Sequence, residues 1–345
     1  MSPLRPARHR YIFSSLTRIA DLDEETLSVE EQPRDAWSRG DYVVGRVVDA
    51  SGYSEIELPN GRNMEIAVGD RVVGAFGTRY ATLEMTGRWE AIGDDRIMHA
   101  LTRAGLFGRA ESRSSLVDRP IELRYQGHVM QDGAPATMQD AVPSVPEQSF
   151  EVPTVLFVGT SMSAGKTTAA RIVTRRLAAM GLDVLGAKLS GAGRYRDVLS
   201  IQDAGAAWGF DFVDAGLPST VVSEEDYRPA VRHLLSQMAE PEADAAVVEI
   251  GASPLEPYNG RLAIEALGDA IDVTILCASD PYAVLGVQKA FGMLEPDLVT
   301  GIATNTAAGV ALLDELTDRE AFNLRDPRTH DRLDALLREG LTLRA

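Results

Sequence analysis

The chain has 345 residues, of which 45% are hydrophobic and 25% charged, a composition typical of a globular protein long enough for two domains. Its formal net charge is −17, from 51 acidic and 34 basic residues, which argues against nucleic acid or an anionic membrane as a main partner. The single cysteine, Cys277, excludes a disulfide within the chain. No stretch resembles a signal peptide or a membrane span, so we expect a cytoplasmic protein.

Residues 1–131 have the pattern of a β-rich domain. Short runs of strand character recur about every ten residues, separated by turn residues, and this spacing predicts a small barrel or a compact sheet. A short helix is predicted over 95–104. The predicted strands are 42–48, 55–58, 70–75, 80–84 and 122–130.

Residues 132–151 are rich in Pro, Gly, Ala, Gln and Ser, which is typical of an interdomain linker. From 152 to 345 strands alternate with longer helical segments, so the fold class predicted here is α/β with a parallel sheet. The predicted strands are 154–158, 183–188, 245–250, 272–277 and 299–304. The predicted helices are 166–180, 198–208, 226–239, 261–268, 282–292, 308–315 and 328–338.

The start of this second domain carries the most informative motif. Apolar residues 155–158 lead through a glycine-bounded turn into a helical pattern, which is the context of a phosphate-binding P-loop. Lys166 would reach the β- and γ-phosphates of ATP, and the Thr167 hydroxyl would ligate Mg²⁺. The glycine that usually opens the motif lies one place early. The residues expected to bind the nucleotide are Gly159, Thr160, Ser161, Ser163, Ala164, Gly165, Lys166, Thr167 and Thr168.

Lysine is rare in this chain. Of its 34 basic residues only Lys166, Lys188 and Lys289 are lysines, and the rest are arginines. A compact charge on a flexible stem suits a phosphate at the P-loop position. Lys188 ends the second predicted strand beside a loop with Gly191, Gly193 and two arginines, so we expect an anion site that faces the P-loop.

Acidic residues that could hold a metal lie near the predicted strand ends. Glu249 closes the apolar strand 245–250, where a P-loop protein keeps its Mg²⁺- or water-orienting carboxylate. Asp203 could supply a further metal contact. Asp197 is expected to hold Arg194 or Arg196 in place.

Asn305 follows the last predicted strand and offers both a donor and an acceptor to an adenine edge. The Asn-Lys-x-Asp run that reads guanine is missing there, which favours ATP over GTP. The histidines share no spacing and do not form a recognisable zinc motif.

The run Gly159-Thr160-x4-Gly165-Lys166-Thr167 resembles the P-loop of dethiobiotin synthetase and of the cobyrinic and cobyric acid amide synthases. Lys188 matches the lysine of that group that faces substrate and γ-phosphate, and Glu249-Ile250-Gly251-Ala252 is similar to its Glu-Gly-Ala-Gly run. Position 161 is Ser, unlike the lysine of partitioning ATPases. Position 163 is Ser where dethiobiotin synthetases tend to carry Glu.

A second resemblance is to P-loop proteins that act as N-acetyltransferases on D-amino acids such as D-glutamate, where the loop holds the phosphates of coenzyme A. Both resemblances cover about residues 152–330.

Three functions are therefore open. The resemblance to dethiobiotin synthetase implies an ATP- and Mg²⁺-dependent enzyme that activates a small anionic carboxylate or carbamate, with Lys166, Lys188 and Glu249 as its catalytic residues. The second resemblance implies an N-acyltransferase that uses acetyl-CoA. An ATP-driven switch or chaperone would use the β-rich domain to bind its partner. Relatives of this kind often form homodimers, so a homodimer is expected.

Overall fold

The computed structural model describes residues 11–292 and 295–341, and both expected domains therefore include residues outside this range. The chain forms two compact units. The N-terminal unit contains residues up to 143 together with 192–196 and 216–219, and the C-terminal unit contains the remainder. None of the described helices combines the length and the apolar character needed to cross a bilayer.

The N-terminal unit is built from short strands. Its strands are β1 (Tyr11–Phe13), β2 (Ser28–Glu30), β3 (Tyr42–Asp49), β4 (Glu55–Glu57), β5 (Asn63–Glu65), β6 (Arg71–Phe76), β7 (Thr78–Ala81), β8 (Met85–Arg88), β9 (Ile97–Ala100), β10 (Leu106–Arg113), β11 (Glu122–Gln131) and β12 (Ala134–Pro135). The pairings β6–β3, β3–β11, β11–β9, β9–β10 and β10–β6 close a ring of five strands. The core of this unit includes Val43, Val72, Phe76, Met98, Phe107 and Leu123.

The predicted helix over 95–104 is wrong. Residues 97–100 form β9, in which Met98 and Ala100 are buried while Ile97 and His99 are partly exposed. This alternation has the period of two that a strand requires, and β9 pairs with both β10 and β11.

The residues predicted to form a linker divide between the two units. Residues 132–143 belong to the N-terminal unit, where β12 pairs with β11. Residues 144–151 belong to the C-terminal unit, where the backbone N–H of Gln148 donates to Ser236 Oγ over 3.1 Å. Hydrogen bonding therefore fixes both halves of a segment whose composition suggested a flexible connection.

The C-terminal unit alternates strands and helices, as expected. Its strands are β13 (Thr154–Gly159), β14 (Val184–Ser190), β15 (Trp208–Asp211), β16 (Ala245–Ile250), β17 (Ile271–Ala278) and β18 (Leu298–Gly301). Its helices are α1 (Lys166–Ala179), α2 (Tyr195–Gln202), α3 (Glu224–Met238), α4 (Gly260–Leu267), α5 (Pro281–Phe291), α6 (Ala307–Leu316) and α7 (His330–Gly340); α2 begins with two residues of the N-terminal unit.

The six strands pair in parallel in the order β15-β14-β16-β13-β17-β18. Strand β13 is central and completely buried, which explains its continuous apolar run. Because all the strands are parallel, their carboxyl ends meet at one edge of the sheet, where α/β proteins bind ligands. The loop after β13, Lys188 at the end of β14 and Glu249 at the end of β16 all lie at this edge.

Candidate functional site

A glycine-dependent turn joins β13 to α1. Gly165 caps the helix with φ of +102°, in the left-handed region that favours glycine. Thr160 anchors the start of the loop, because its backbone N–H donates to the Cys277 carbonyl over 3.0 Å. Its hydroxyl accepts from the N–H of Ser279 over 3.0 Å. The loop between these points leads directly to the amino terminus of a 14-residue helix, which favours a phosphate.

Lys166 folds back over this loop. Its Nζ donates to the carbonyl of Ser161 over 2.8 Å and to that of Met162 over 3.4 Å, and the residue is only 2% exposed. Burial lowers the pKa of this lysine, although Glu249 acts in the opposite direction. The ammonium group is thus held inside the turn by neutral carbonyls, at the position where phosphate oxygens would replace them.

Thr167 and Glu249 form the second part of the site. The Thr167 hydroxyl donates to Glu249 Oε2 over 2.9 Å, so α1 and β16 place two hard oxygen ligands side by side. Mg²⁺ prefers such oxygens and usually binds one or two protein ligands together with substrate phosphates and waters. Among the described residues no group of three or more His, Cys, Asp or Glu side chains is placed to hold a metal. The pair therefore fits Mg²⁺ carried on a nucleotide.

Lys188 lies on the other side of Glu249. The two residues are register partners on β14 and β16, and both are buried. Lys188 Nζ contacts Asp197 Oδ2 at 2.6 Å. Asp197 was expected to hold Arg194 or Arg196, and the structure places its carboxylate on Lys188. The second buried lysine therefore has a counter-ion at the start of α2.

The pKa values of Glu249 and Lys188 depend on burial and on the charges of Lys166 and Asp197 beside them. Burial raises the pKa of Glu249, as does nearby Asp197, while Lys188 and Lys166 partly offset this rise. Burial alone would lower the pKa of Lys188, but the carboxylates of Asp197 and Glu249 outweigh it and raise that pKa. An arrangement of two cations and two anions in a buried position is typical of a binding or catalytic site.

The chain after β16 packs closely on β14. The backbone N–H of Gly251 donates to the Ser190 carbonyl over 3.0 Å, and a Cβ at position 251 would lie 2.7 Å from Lys188 Cε. Only glycine fits this approach. Ser190 itself is completely buried, and its hydroxyl has no hydrogen-bond partner among the described residues. A buried hydroxyl without a partner is rare in folded proteins, and this one lies at the end of β14.

A cavity of about 220 Å³ lies beside α1 on the side of β18. Thr168 and Ser163 line it from the P-loop side, and the exposed Asn305, expected to recognise adenine, lines it after β18. The cavity thus joins the phosphate-binding turn to the residue expected to recognise the base.

Asn323 and Arg325 also line this cavity, and sequence reasoning missed them. They follow a segment without strand or helix periodicity that runs alongside β18. The backbone N–H of Val299 in β18 donates to the carbonyl of Glu320 in this segment over 2.8 Å. Val299 and Ala321 also form an isolated parallel bridge. The polar Asn-Leu-Arg sequence directly after the apolar Ala-Phe was the available signal.

Asp203 lies apart from Asp197. It is exposed in the turn after α2, whereas Asp197 lies in the first turn of that helix beside Lys188. A helix of eight residues separates its two ends by about 12 Å. Asp197 is therefore the acid that joins Glu249 at the site, and the metal contact expected of Asp203 stays a prediction.

No family model matches the chain, and no curated protein matches it. Among solved structures it is similar to the signal recognition particle receptor FtsY of Elizabethkingia anophelis, with 14% identity and a TM-score of 0.35, over 51% of this chain and 59% of that one. The chain thus spans about six-tenths of that receptor's length.

Two further solved structures are similar to this chain. The first, HypB of Helicobacter pylori in complex with nickel, has 14% identity and a TM-score of 0.37, over 55% of this chain and 86% of that one. The second, a ParA family ATPase of Chlorobium tepidum, has 14% identity and a TM-score of 0.32, over 51% of this chain and 84% of that one.

The class of the C-terminal unit follows from its own geometry. A central parallel strand, a turn that ends in left-handed Gly165, the buried Lys166 at the first helical position and the Thr167–Glu249 pair together define a P-loop α/β domain.

Proposed function

We propose that the chain is an ATP- and Mg²⁺-dependent enzyme that transfers the γ-phosphoryl group to a small carboxylate or carbamate. The observation that carries the proposal is the contact of 2.9 Å between the Thr167 hydroxyl and Glu249. A metal that bridges nucleotide phosphates requires such an oxygen pair next to a P-loop lysine. The phosphates of coenzyme A would require Lys166 but not this pair, which favours a nucleotide over acetyl-CoA.

Each residue has a role that its position allows. Lys166 would leave the carbonyls of Ser161 and Met162 and donate to the β- and γ-phosphates. Thr167 and Glu249 would hold Mg²⁺, which when bound would neutralise charge on the phosphate oxygens. A substrate oxygen would form the bond to the γ-phosphorus as the bond to the bridging oxygen breaks and ADP leaves. The side chains then need to supply no nucleophile.

Lys188 supports an anionic second substrate. It is a buried cation in addition to the P-loop lysine, and its charge is balanced by Asp197 at 2.6 Å. A substrate carboxylate could take the place of Asp197 on Lys188 Nζ. Its oxygen would then approach the γ-phosphate from the side of β14, while Lys166 holds the phosphates from the side of α1.

The test is ADP formation by the full chain with Mg²⁺-ATP and a panel of small carboxylates and carbamates. The proposal predicts that at least one of these anions stimulates ADP formation and that omission of Mg²⁺ abolishes it. Lys188→Met should remove the stimulation while Mg²⁺-nucleotide binding persists. Lys289→Met, which changes an exposed lysine on α5, is the matched control. Nucleotide turnover that no anion stimulates would instead indicate an ATP-driven switch.

A further inference from the structure

The N-terminal unit contains a cavity of about 350 Å³ that the proposed enzyme site does not use. Arginine side chains dominate its polar lining. Arg79 comes from β7, Arg103 from the turn after β9, and Arg194 from the segment 192–196 that belongs to this unit. Among the described residues of the lining, three are arginines and one, Asp118, is acidic.

Two buried donors in this lining have no acceptor among the described residues. Arg79 donates through Nη1 to the Leu101 carbonyl over 2.7 Å and pairs through Nη2 with Glu84, but its buried Nε has no partner. The buried hydroxyl of Thr102 likewise has none. Buried donors nearly always have a hydrogen-bond acceptor. Two unsatisfied donors on residues that line the same cavity therefore favour a bound ligand that supplies the acceptor.

Arg103 makes one long ion pair and one contact with an aromatic ring. Its guanidinium lies 5.4 Å from the ring centroid of Tyr53, which also lines the cavity, and its ion pair with Glu55 is long, at 3.8 Å. A guanidinium over an aromatic face is held by the ring and can still donate N–H groups to a ligand. Met85, Leu101 and Val117 supply apolar wall between the polar groups.

We propose that this cavity binds a small organic oxyanion, with its charged group on the arginines and Thr102 and a short apolar or aromatic body against Met85, Leu101 and Val117. Guanidinium forks match the oxygens of both carboxylates and phosphates, so the charged group is one of these two. The size of the cavity suits a ligand of this kind. The described lining residues all belong to the N-terminal unit, whereas Lys166, Lys188 and Glu249 belong to the C-terminal unit.

The experiment is a ligand-observed NMR titration of the full chain with benzoate, phenyl phosphate and benzyl alcohol. We expect at least one of the two anions to bind in the millimolar range and neutral benzyl alcohol to bind more weakly. The tighter anion then identifies the charged group. Arg103→Gln should weaken that binding about tenfold, the effect of losing one charge-assisted hydrogen bond. Thr102→Val, which keeps the side-chain shape, should also weaken it.

Arg88→Gln is the matched control, because Arg88 is another partly exposed arginine in a surface ion pair, with Glu111, and does not line the cavity. It should leave the affinity unchanged. Binding at the C-terminal unit is separated in the same way, since it would not respond to Arg103→Gln. The proposal is overturned if neither anion binds, if benzyl alcohol binds as well as the anions, or if Arg103→Gln and Arg88→Gln have the same effect.

Discussion

Lys188 and Glu249 are buried near the ends of adjacent strands, Lys166 is buried at the start of α1, and Asp197 completes the group from the start of α2. Charged side chains are seldom buried unless they are paired or bind a ligand. Two of the chain's three lysines lie in this group, whereas Lys289 is exposed. At the residue scale, this concentration of buried charge is best explained by anions that bind here.

Lys166→Met should weaken binding of a Mg²⁺-nucleotide roughly ten- to hundredfold, because it removes a charge-assisted contact to phosphate. The methionine keeps the length of the side chain and avoids an empty space. Calorimetric titration of the variant against wild type measures the effect, with Lys289→Met as the control for loss of a lysine. Equal affinity of wild type and Lys166→Met would mean that the loop does not bind phosphate.

Glu249→Gln should raise the melting temperature at pH 7 while it lowers turnover and increases the Mg²⁺ concentration that turnover requires. Burial raises the folded-state pKa of Glu249 above its ordinary value of 4.5, so the charged carboxylate opposes folding. The free-energy cost of burying the charged carboxylate is fully present above the folded-state pKa. It vanishes below the unfolded-state pKa, where the carboxyl group is protonated in both states.

The difference in melting temperature between Glu249→Gln and wild type should therefore shrink as the pH falls toward 4.5, the ordinary value. Thermal melts of both proteins across this range measure it. A variant that is less stable than wild type at pH 7 would show that the carboxylate stabilises the fold.

At the element scale, sequence patterns predicted the elements that carry long apolar runs or a full helical period. Strand β16 was predicted with its observed bounds, and α1 to within one residue. Strand β15 was missed because its four residues at the sheet edge contain Gly209 and too short an apolar run. The pairing of Lys188 with Asp197 and the cavity position of Asn323 were missed because each depends on how a loop folds back on the sheet, which periodicity does not predict.

Gly251→Ala should destabilise the folded protein by about 1–3 kcal/mol, the usual cost of overpacking. Its Cβ would approach the Ser190 carbonyl and Lys188 Cε, and the backbone atom has little freedom to move. Gly286→Ala is the matched control, because a Cβ there meets nothing within 4 Å and the residue lies inside α5. It should stabilise the protein by roughly 0.5–1 kcal/mol. Chemical denaturation measures both, and equal effects would contradict the assigned packing.

At the scale of the whole molecule, the chain passes repeatedly between its two units. Residues 192–196 and 216–219 belong to the N-terminal unit although they lie between elements of the C-terminal sheet in sequence. Within the N-terminal unit, the buried Glu57 carboxylate accepts from the backbone N–H groups of Tyr195 and Arg196 over 3.2 and 2.6 Å. A single cut therefore does not separate two complete units.

A fragment that begins at Ser144 should melt at a lower temperature than the full chain, because it retains Tyr195 and Arg196 but lacks the carboxylate that satisfies their N–H groups. Glu57→Gln in the full chain should lower the melting temperature as well, but by less than the truncation does. Thermal melts of the three proteins test this. A fragment as stable as the full chain would show that the hydrogen bonds of Tyr195 and Arg196 with Glu57 contribute nothing to stability.

The central claim is that the P-loop holds a Mg²⁺-nucleotide, and calorimetric titration tests it most directly. The full chain would be titrated with Mg²⁺ plus a non-hydrolysable ATP analogue and, in parallel, with acetyl-CoA. The account predicts binding of the analogue that requires Mg²⁺ and weakens in Lys166→Met, with no comparable binding of acetyl-CoA. Binding of acetyl-CoA without heat from the analogue would contradict it and indicate an acyltransferase.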